Sequence, residues 1–69
     1  MKELELQILN YYDGIYRAVN IDVSSRSKMD ILITLFPTGY GQYQIYSLRN
    51  LKSVSFESVI GHLPKPDKN

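Results

Sequence analysis

The 69-residue sequence contains no cysteine, no tryptophan and one histidine, His62. Without cysteine the chain forms no disulfide, and the zinc centres that stabilise many small domains lose their main ligand. Since a metal site would then depend almost wholly on carboxylates, we expect neither a metal nor a cofactor. The absence of cysteine also fits a reducing compartment, and we expect a cytoplasmic protein.

Long apolar runs and a strong net charge are missing as well. No stretch approaches the length needed to span a bilayer, and Glu3 and Glu5 lie where a signal peptide would have its apolar segment. Eight basic and seven acidic residues are interspersed and give a net charge of +1. Proteins that bind duplex DNA or anionic membranes usually have a basic stripe, so we expect no membrane association and disfavour a nucleic-acid partner.

The groupings that catalysis requires are also absent from the sequence. The seven acidic residues are scattered along the chain, whereas acid–base chemistry needs two groups in one cleft. No serine has a Gly-x-Ser-x-Gly context, and the segment Gly39-Tyr40-Gly41 lacks the third glycine of a nucleotide-binding loop. We therefore predict that the protein is not an enzyme.

Alternation of polar and apolar residues recurs along the chain and predicts β-strands. The segments with this pattern are 3–8, 15–24, 29–36, 43–48 and 51–57. The first segment also fits a helix, because Leu4, Ile8 and Tyr12 are spaced by four. In the second, Arg17 falls on the predicted apolar face, where its stem would lie along the edge of the core. The third is apolar on both faces towards its end, which is typical of a central strand.

Turn signals separate these segments. Asp13-Gly14 is typical of a tight reversal, the polar stretch 24–28 of a hairpin loop, and 37–41 of a strand end with proline and two glycines. A turn or bulge near Arg49 and Asn50 would resolve the irregular alternation that follows. The predicted fold is all-β: an antiparallel meander of four to five strands, forming a partly open barrel or half of a sandwich. One domain covers 1–63, with a helical turn or irregular segment at 58–63, and 64–69 is a disordered polar tail.

Tyrosine is unusually frequent, with six copies in the chain. Tyrosines serve as strand formers that pack in a core, as rigid contacts at protein interfaces, or as platforms on which bases stack. The residues that we select as a candidate interface are Tyr16, Arg17, Leu32, Phe36, Tyr40, Tyr43, Tyr46 and Arg49.

The order of strands and turns also resembles that of a known group. The segments that carry the resemblance are Tyr12-Asp13-Gly14, 19–22, 30–35 and 51–56. In this strand-and-turn pattern the chain is similar to small β-rich bacterial proteins of the immunity type and their uncharacterised relatives. The resemblance implies binding of a partner protein without catalysis.

Two functions follow as expectations. The first is a non-catalytic protein-interaction module that forms a homo-oligomer or binds a protein partner, because a domain this small without disulfides or metal is commonly stabilised by self-association. The alternative is a small nucleic-acid-binding β-barrel in which Tyr16, Tyr43 or Tyr46 stack on bases, while Arg17, Arg49 and Lys52 contact phosphates.

Overall fold

The computed structural model of the protein describes residues 1–66, in which three consecutive strands lie between an N-terminal and a C-terminal helix. In chain order they are α1 (Lys2–Tyr12), β1 (Tyr16–Val23), β2 (Ile31–Pro37), β3 (Gln44–Leu48) and α2 (Phe56–Ile60). The three strands form one open antiparallel sheet in the order β1-β2-β3. The prediction of an antiparallel meander is confirmed for these strands. Four to five strands are not confirmed, because residues 1–66 contain three, and the fold is not all-β: the sheet stays open and packs on two helices instead of curling into a barrel.

The first segment is a helix, so the prediction of a strand at 3–8 is wrong. Leu4, Ile8 and Tyr12 are buried, as the four-residue spacing requires, whereas Leu6 keeps 54% of its surface exposed. The helix ends at Asp13, which takes a left-handed conformation with φ of 49°. Its backbone N–H donates to the carbonyls of Leu9 and Asn10, which satisfies the end of the helix.

The reversal predicted at Asp13-Gly14 is present, and it joins a helix to a strand. Asp13 and Gly14 both have positive φ, 49° and 86°. β1 then starts with a bulge: Tyr16 pairs with Pro37 and Ala18 with Phe36, so Arg17 is an extra residue on β1. The bulge shifts the alternation by one residue, which places Tyr16 on the buried side and moves Arg17 off the predicted apolar face.

β2 is the central strand, as predicted. Ile31, Ile33 and Leu35 are buried and point towards the helices, where they join Ile8 and Val59 in one apolar core. The sequence between β1 and β2 forms the expected loop. Its N–H groups are bound by Ser24 and Ser27 side chains, which accept from the backbone of Arg26, Ser27 and Met29.

The segment predicted as a fifth strand, 51–57, leaves the sheet, and its last residues begin α2. Asn50 has φ of 56°, so the turn expected near this residue is present. Ser55 is the N-cap of α2, and its hydroxyl accepts a hydrogen bond from the backbone N–H of Ser58. α2 overlaps the helical turn expected at 58–63 and packs on α1 through Tyr11 and Phe56, whose ring centroids are 5.7 Å apart.

The tail is described up to residue 66. The Tyr12 hydroxyl donates a hydrogen bond of 2.6 Å to the carbonyl of Pro64, so the chain after α2 is attached to the end of α1. The predicted disordered segment 64–69 lies in part outside the described residues, since the structure describes nothing of residues 67–69.

Candidate interaction surface

The sheet has one face covered by the helices and one face without cover among residues 1–66. Residues that pair across antiparallel strands have their side chains on the same face of the sheet. Residues paired with the buried Ile31, Ile33 and Leu35 of β2 therefore lie on the covered face, and the residues between them lie on the other face. We call the uncovered side the outer face. Its strand residues are Ala18, Asn20 and Asp22 of β1, Leu32, Thr34 and Phe36 of β2, and Ile45 and Ser47 of β3.

An aromatic cluster lies at one end of the outer face. The rings of Phe36 and Tyr43 are 5.9 Å apart, and the Arg17 guanidinium lies 5.4 Å from the centre of the Phe36 ring. The bulge makes this contact geometrically accessible, because it moves Arg17 to the side of the sheet on which Phe36 stands. A shallow open depression continues from these residues to Gly39 and Gly41, and the nearby Tyr40 is fully exposed. Cation and ring together form a surface suited to aromatic or apolar partners.

The centre and far end of the outer face carry further apolar groups. Ile45 keeps 53% of its surface exposed, and Leu32 is also exposed. Arg49 follows β3 and lines a second shallow depression with Asp22 and Leu32. The two arginines therefore stand at opposite ends of a surface that mixes apolar side chains such as Leu32, Phe36 and Ile45 with polar ones such as Asn20 and Thr34.

Two of the candidate tyrosines lie on the other side of the sheet. Tyr16 is buried, and Tyr46 is half-buried against the core. The hydroxyls of both donate to Oε1 of Gln44, at 3.0 and 3.4 Å. The Tyr16 ring meets the Tyr12 ring edge to face at 4.7 Å, and burial raises the pKa of Tyr16. These two tyrosines serve the inner packing of the sheet, whereas Tyr43 belongs to the outer face.

The edge of β1 is covered by α1. The carboxylate of Glu5 accepts a hydrogen bond of 2.7 Å from the backbone N–H of Ile21. In an antiparallel sheet, successive residues point their N–H and C=O groups to alternate sides of the strand. The odd-numbered residues of β1 around Ile21 therefore point away from β2, and the helix occupies the side to which they point.

The edge of β3 has no such cover within residues 1–66. The odd-numbered residues of β2 point their backbone groups towards β3, as the bond from Leu51 N–H to the Met29 carbonyl also indicates. Tyr46 pairs with Ile33 and therefore points its backbone groups to β2. Ile45 and Ser47 point theirs the opposite way, outward from the sheet. Proteins usually protect such an edge with lysine, proline or a bulge, and Gln44–Leu48 contains no proline or charge.

Ile45, the apolar residue of β3 on the outer face, is not among the residues predicted for the interface. The alternation of Ile45 with Tyr46 and Leu48 places Ile45 on the opposite face from these two residues. The sequence does not indicate which of the two faces the helices cover. Assigning Tyr46 to the inner face places Ile45 outside.

This surface presents apolar and aromatic side chains, two guanidinium groups and a strand edge with outward-pointing backbone groups. In the described part of the chain, no three histidine or acidic side chains come together as a metal site. Over the same residues, neither helix is long and apolar enough to cross a membrane. No protein-family model, curated protein or solved structure matches this chain.

Proposed function

We propose that the protein is a non-catalytic protein-interaction module that self-associates through the outer face and the adjoining edge of β3. The observation that supports this function is the unequal cover of the sheet. The inner face is filled by Ile8, Tyr12 and Val59, and one edge is occupied by Glu5. Leu32 and Ile45 remain exposed on the opposite face. The resemblance to immunity-type proteins favours the same class of function, which is binding of a protein partner.

The energetic reason is the small core. A domain of this size buries a modest amount of apolar surface, and without cysteine it has no disulfide to stabilise it further. Covering exposed apolar side chains with a second surface contributes about 25 cal/mol for each Å² removed from water. Association therefore adds stability where the folded chain leaves apolar groups in solvent.

Sedimentation velocity over a wide concentration series tests this function. We expect the mean mass to rise with concentration, and to fall back to that of one chain in the variant Ile45→Ser. Leu6→Ser is the matched control, because Leu6 is as exposed as Ile45, at 54% against 53%, but lies on α1 beside β1, at the other edge of the sheet from β3. A wild-type protein that stays monomeric at every concentration contradicts the self-association.

A second candidate function is binding of single-stranded nucleic acid. The specific observation in its favour is the aromatic cluster, in which Phe36 and Tyr43 lie side by side next to Arg17. Bases stack on such rings, and a nearby arginine contacts the phosphates. Of the three tyrosines predicted to stack on bases, Tyr16 and Tyr46 face inward, so Tyr43 is the one that this function requires.

Titration with single-stranded oligonucleotides at low salt separates the two functions. Nucleic-acid binding requires quenching of tyrosine fluorescence that weakens as salt is added and is lost in Tyr43→Ala. Absence of quenching in the wild-type protein removes this second function and leaves the first intact.

A further inference from the structure

The two edges of the sheet are protected to different degrees, and this difference identifies the kind of partner that fits. α1 and the Glu5 carboxylate occupy the edge of β1, whereas β3 ends the sheet on its other side. Ile45 and Ser47 point N–H and C=O groups outward from β3, in the pattern that an antiparallel strand completes. An extended strand is therefore the occupant that satisfies these backbone groups.

We propose that this strand is β3 of a second copy, paired antiparallel about a twofold axis beside Tyr46. The proposal rests on the self-association proposed above and specifies its geometry. A twofold axis makes the same patch serve both copies, so that Ile45 pairs with Ser47 of the other copy and Ser47 with Ile45. The backbone N–H and C=O groups of both residues point outward from the sheet, so each Ile45–Ser47 pair exchanges two hydrogen bonds between the copies.

The register follows from the length of the strand. β3 covers five residues, Gln44–Leu48, and Tyr46 is its middle residue. An axis at Tyr46 overlaps the whole strand with its copy, whereas an axis at Ile45 or Ser47 leaves one end without a partner. An axis between two residues would pair a residue whose backbone N–H and C=O point outward with one whose backbone groups point to β2. Such a pair cannot form hydrogen bonds between the copies, so this register is excluded.

Charge favours the antiparallel direction. Arg49 follows directly on β3, and in a parallel pair the two copies of this residue would stand side by side, which is destabilising. In the antiparallel register Arg49 faces Tyr43 of the other copy. The two arginines are then six residues apart along the strands, roughly 20 Å. Each guanidinium meets an aromatic ring on the outer face instead of a like charge.

Pairing at this edge also joins the two outer faces. The six strands form one sheet, and the apolar residues Leu32 and Ile45 of each copy come to lie on one continuous surface. Self-association thus uses the β3 edge for its hydrogen bonds and the adjoining outer face for side-chain contacts, where Ile45 of each copy lies diagonal to Ile45 of the other.

Disulfide trapping tests the register, and the chain is suited to it because it has no native cysteine. An equimolar mixture of Ile45→Cys and Ser47→Cys proteins is oxidised and analysed by mass. In the proposed register these two positions face each other with Cα atoms about 5.5 Å apart, which suits a disulfide. In a dimer of either variant alone, the Cα atoms of the two cysteines are about 8 Å apart, which is too far for a disulfide. We therefore expect the mixed disulfide and neither symmetric one.

A proline substitution tests the hydrogen bonds themselves. Ser47→Pro removes an N–H that points away from the rest of the sheet, so a circular dichroism spectrum like that of the wild type is expected. Each dimer loses two donors, and we expect the dissociation constant to rise about tenfold or more. Ser47→Ala keeps the N–H and serves as the matched control, with association unchanged.

Other outcomes overturn the proposal in distinguishable ways. A symmetric disulfide in Ile45→Cys or Ser47→Cys places the axis elsewhere and refutes the register. Cross-linking of a Thr34→Cys variant, with no cross-link at the edge, shows that the outer faces stack; the edge pairing is then wrong although self-association stands. A monomeric wild-type protein refutes self-association and the edge pairing together.

Discussion

The carboxylate of Glu5 binds the backbone N–H of Ile21 at 2.7 Å, and this contact joins the first turn of α1 to the edge of β1. Glu5 therefore satisfies a donor that would otherwise point into solvent at an open sheet edge. The same contact fixes how the helix lies along the strand. A single side chain thus joins the segment whose alternation suggested a strand, and which is a helix, to an edge of the sheet.

Replacing Glu5 with alanine should destabilise the fold. A hydrogen bond to a charged group is worth about 1.5–3 kcal/mol, and the half-buried Glu5 is partly exposed to water, so we expect a loss near the lower end of that range. Urea unfolding followed by circular dichroism measures it. Glu3→Ala is the control, because Glu3 is an exposed carboxylate in the same helical turn. Equal losses in both variants would show that the helix charge, and not the bond to Ile21, stabilises the protein.

Tyr12 attaches the chain after α2 to the end of α1. Its hydroxyl donates to the Pro64 carbonyl, and Tyr12→Phe removes this bond while keeping the buried ring. We expect a loss of about 1 kcal/mol in the free energy of unfolding. Tyr11→Phe is the matched control, since Tyr11 is the neighbouring ring that packs on Phe56. If the two variants are equally stable, the bond to Pro64 contributes nothing.

The same hydroxyl makes stability depend on alkaline pH. Burial, and then the nearby Tyr16, raise the pKa of Tyr12 above its ordinary value of 10.0. Below that value the phenol is protonated in both the folded and the unfolded chain, and its full contribution is present. Above it the unfolded chain ionises first, so the free energy of unfolding should fall as pH rises towards the folded pKa.

Urea unfolding at about pH 8 and about pH 11 measures this dependence. Tyr12→Phe should reduce the difference in the free energy of unfolding between the two pH values, because it removes the hydroxyl whose pKa is raised in the folded chain. An identical difference in the variant and the wild type would assign the alkaline loss of stability to other groups.

The sequence predicts the sheet better than the helices, for reasons visible in particular residues. In β2, Ile31, Ile33 and Leu35 alternate on the buried face, and the strand is central as predicted. In α1 the alternation of Leu4, Leu6 and Ile8 is misleading, because Leu6 lies on the solvent side of a helix. The four-residue spacing from Leu4 to Tyr12 carries the correct signal, and the two periods cannot be separated over so short a segment.

The wrong prediction of a strand at 51–57 and the failure to predict the bulge have different causes. Val54 and Phe56 alternate like strand residues, but Ser55 lies at an N-cap position and Glu57 in a first turn, a signal for a helix start that alternation concealed. The bulge at Arg17 leaves no mark in the local sequence, because it depends on how Tyr16 and Ala18 pair with β2. The outer face was therefore predictable for Leu32 and Phe36, whose strand is regular, but not for Arg17 or Tyr16.

The two faces of the sheet should respond differently to truncation. Ile33→Ala removes a side chain with 0% exposure and leaves a cavity beside the helices, so we expect a loss of about 2–5 kcal/mol. Ile45→Ala removes a similar side chain from the outer face and should cost about 0.5 kcal/mol or less. Chemical unfolding at low protein concentration, where self-association does not contribute, compares them. Similar losses at both positions would mean that the outer face is covered within the single chain.

The turn between α1 and β1 should depend on glycine at position 14. Gly14 has φ of 86°, a region that side chains with a Cβ rarely adopt, although a Cβ there would meet no atom within 4 Å. The cost of Gly14→Ala is therefore one of backbone conformation, about 1 kcal/mol. Gly39→Ala is the control, since Gly39 is equally open but is not held at such a φ, and it should be neutral. Thermal and urea unfolding of both variants measures the difference, and a neutral Gly14→Ala would show that the turn relaxes to a conformation that alanine accepts.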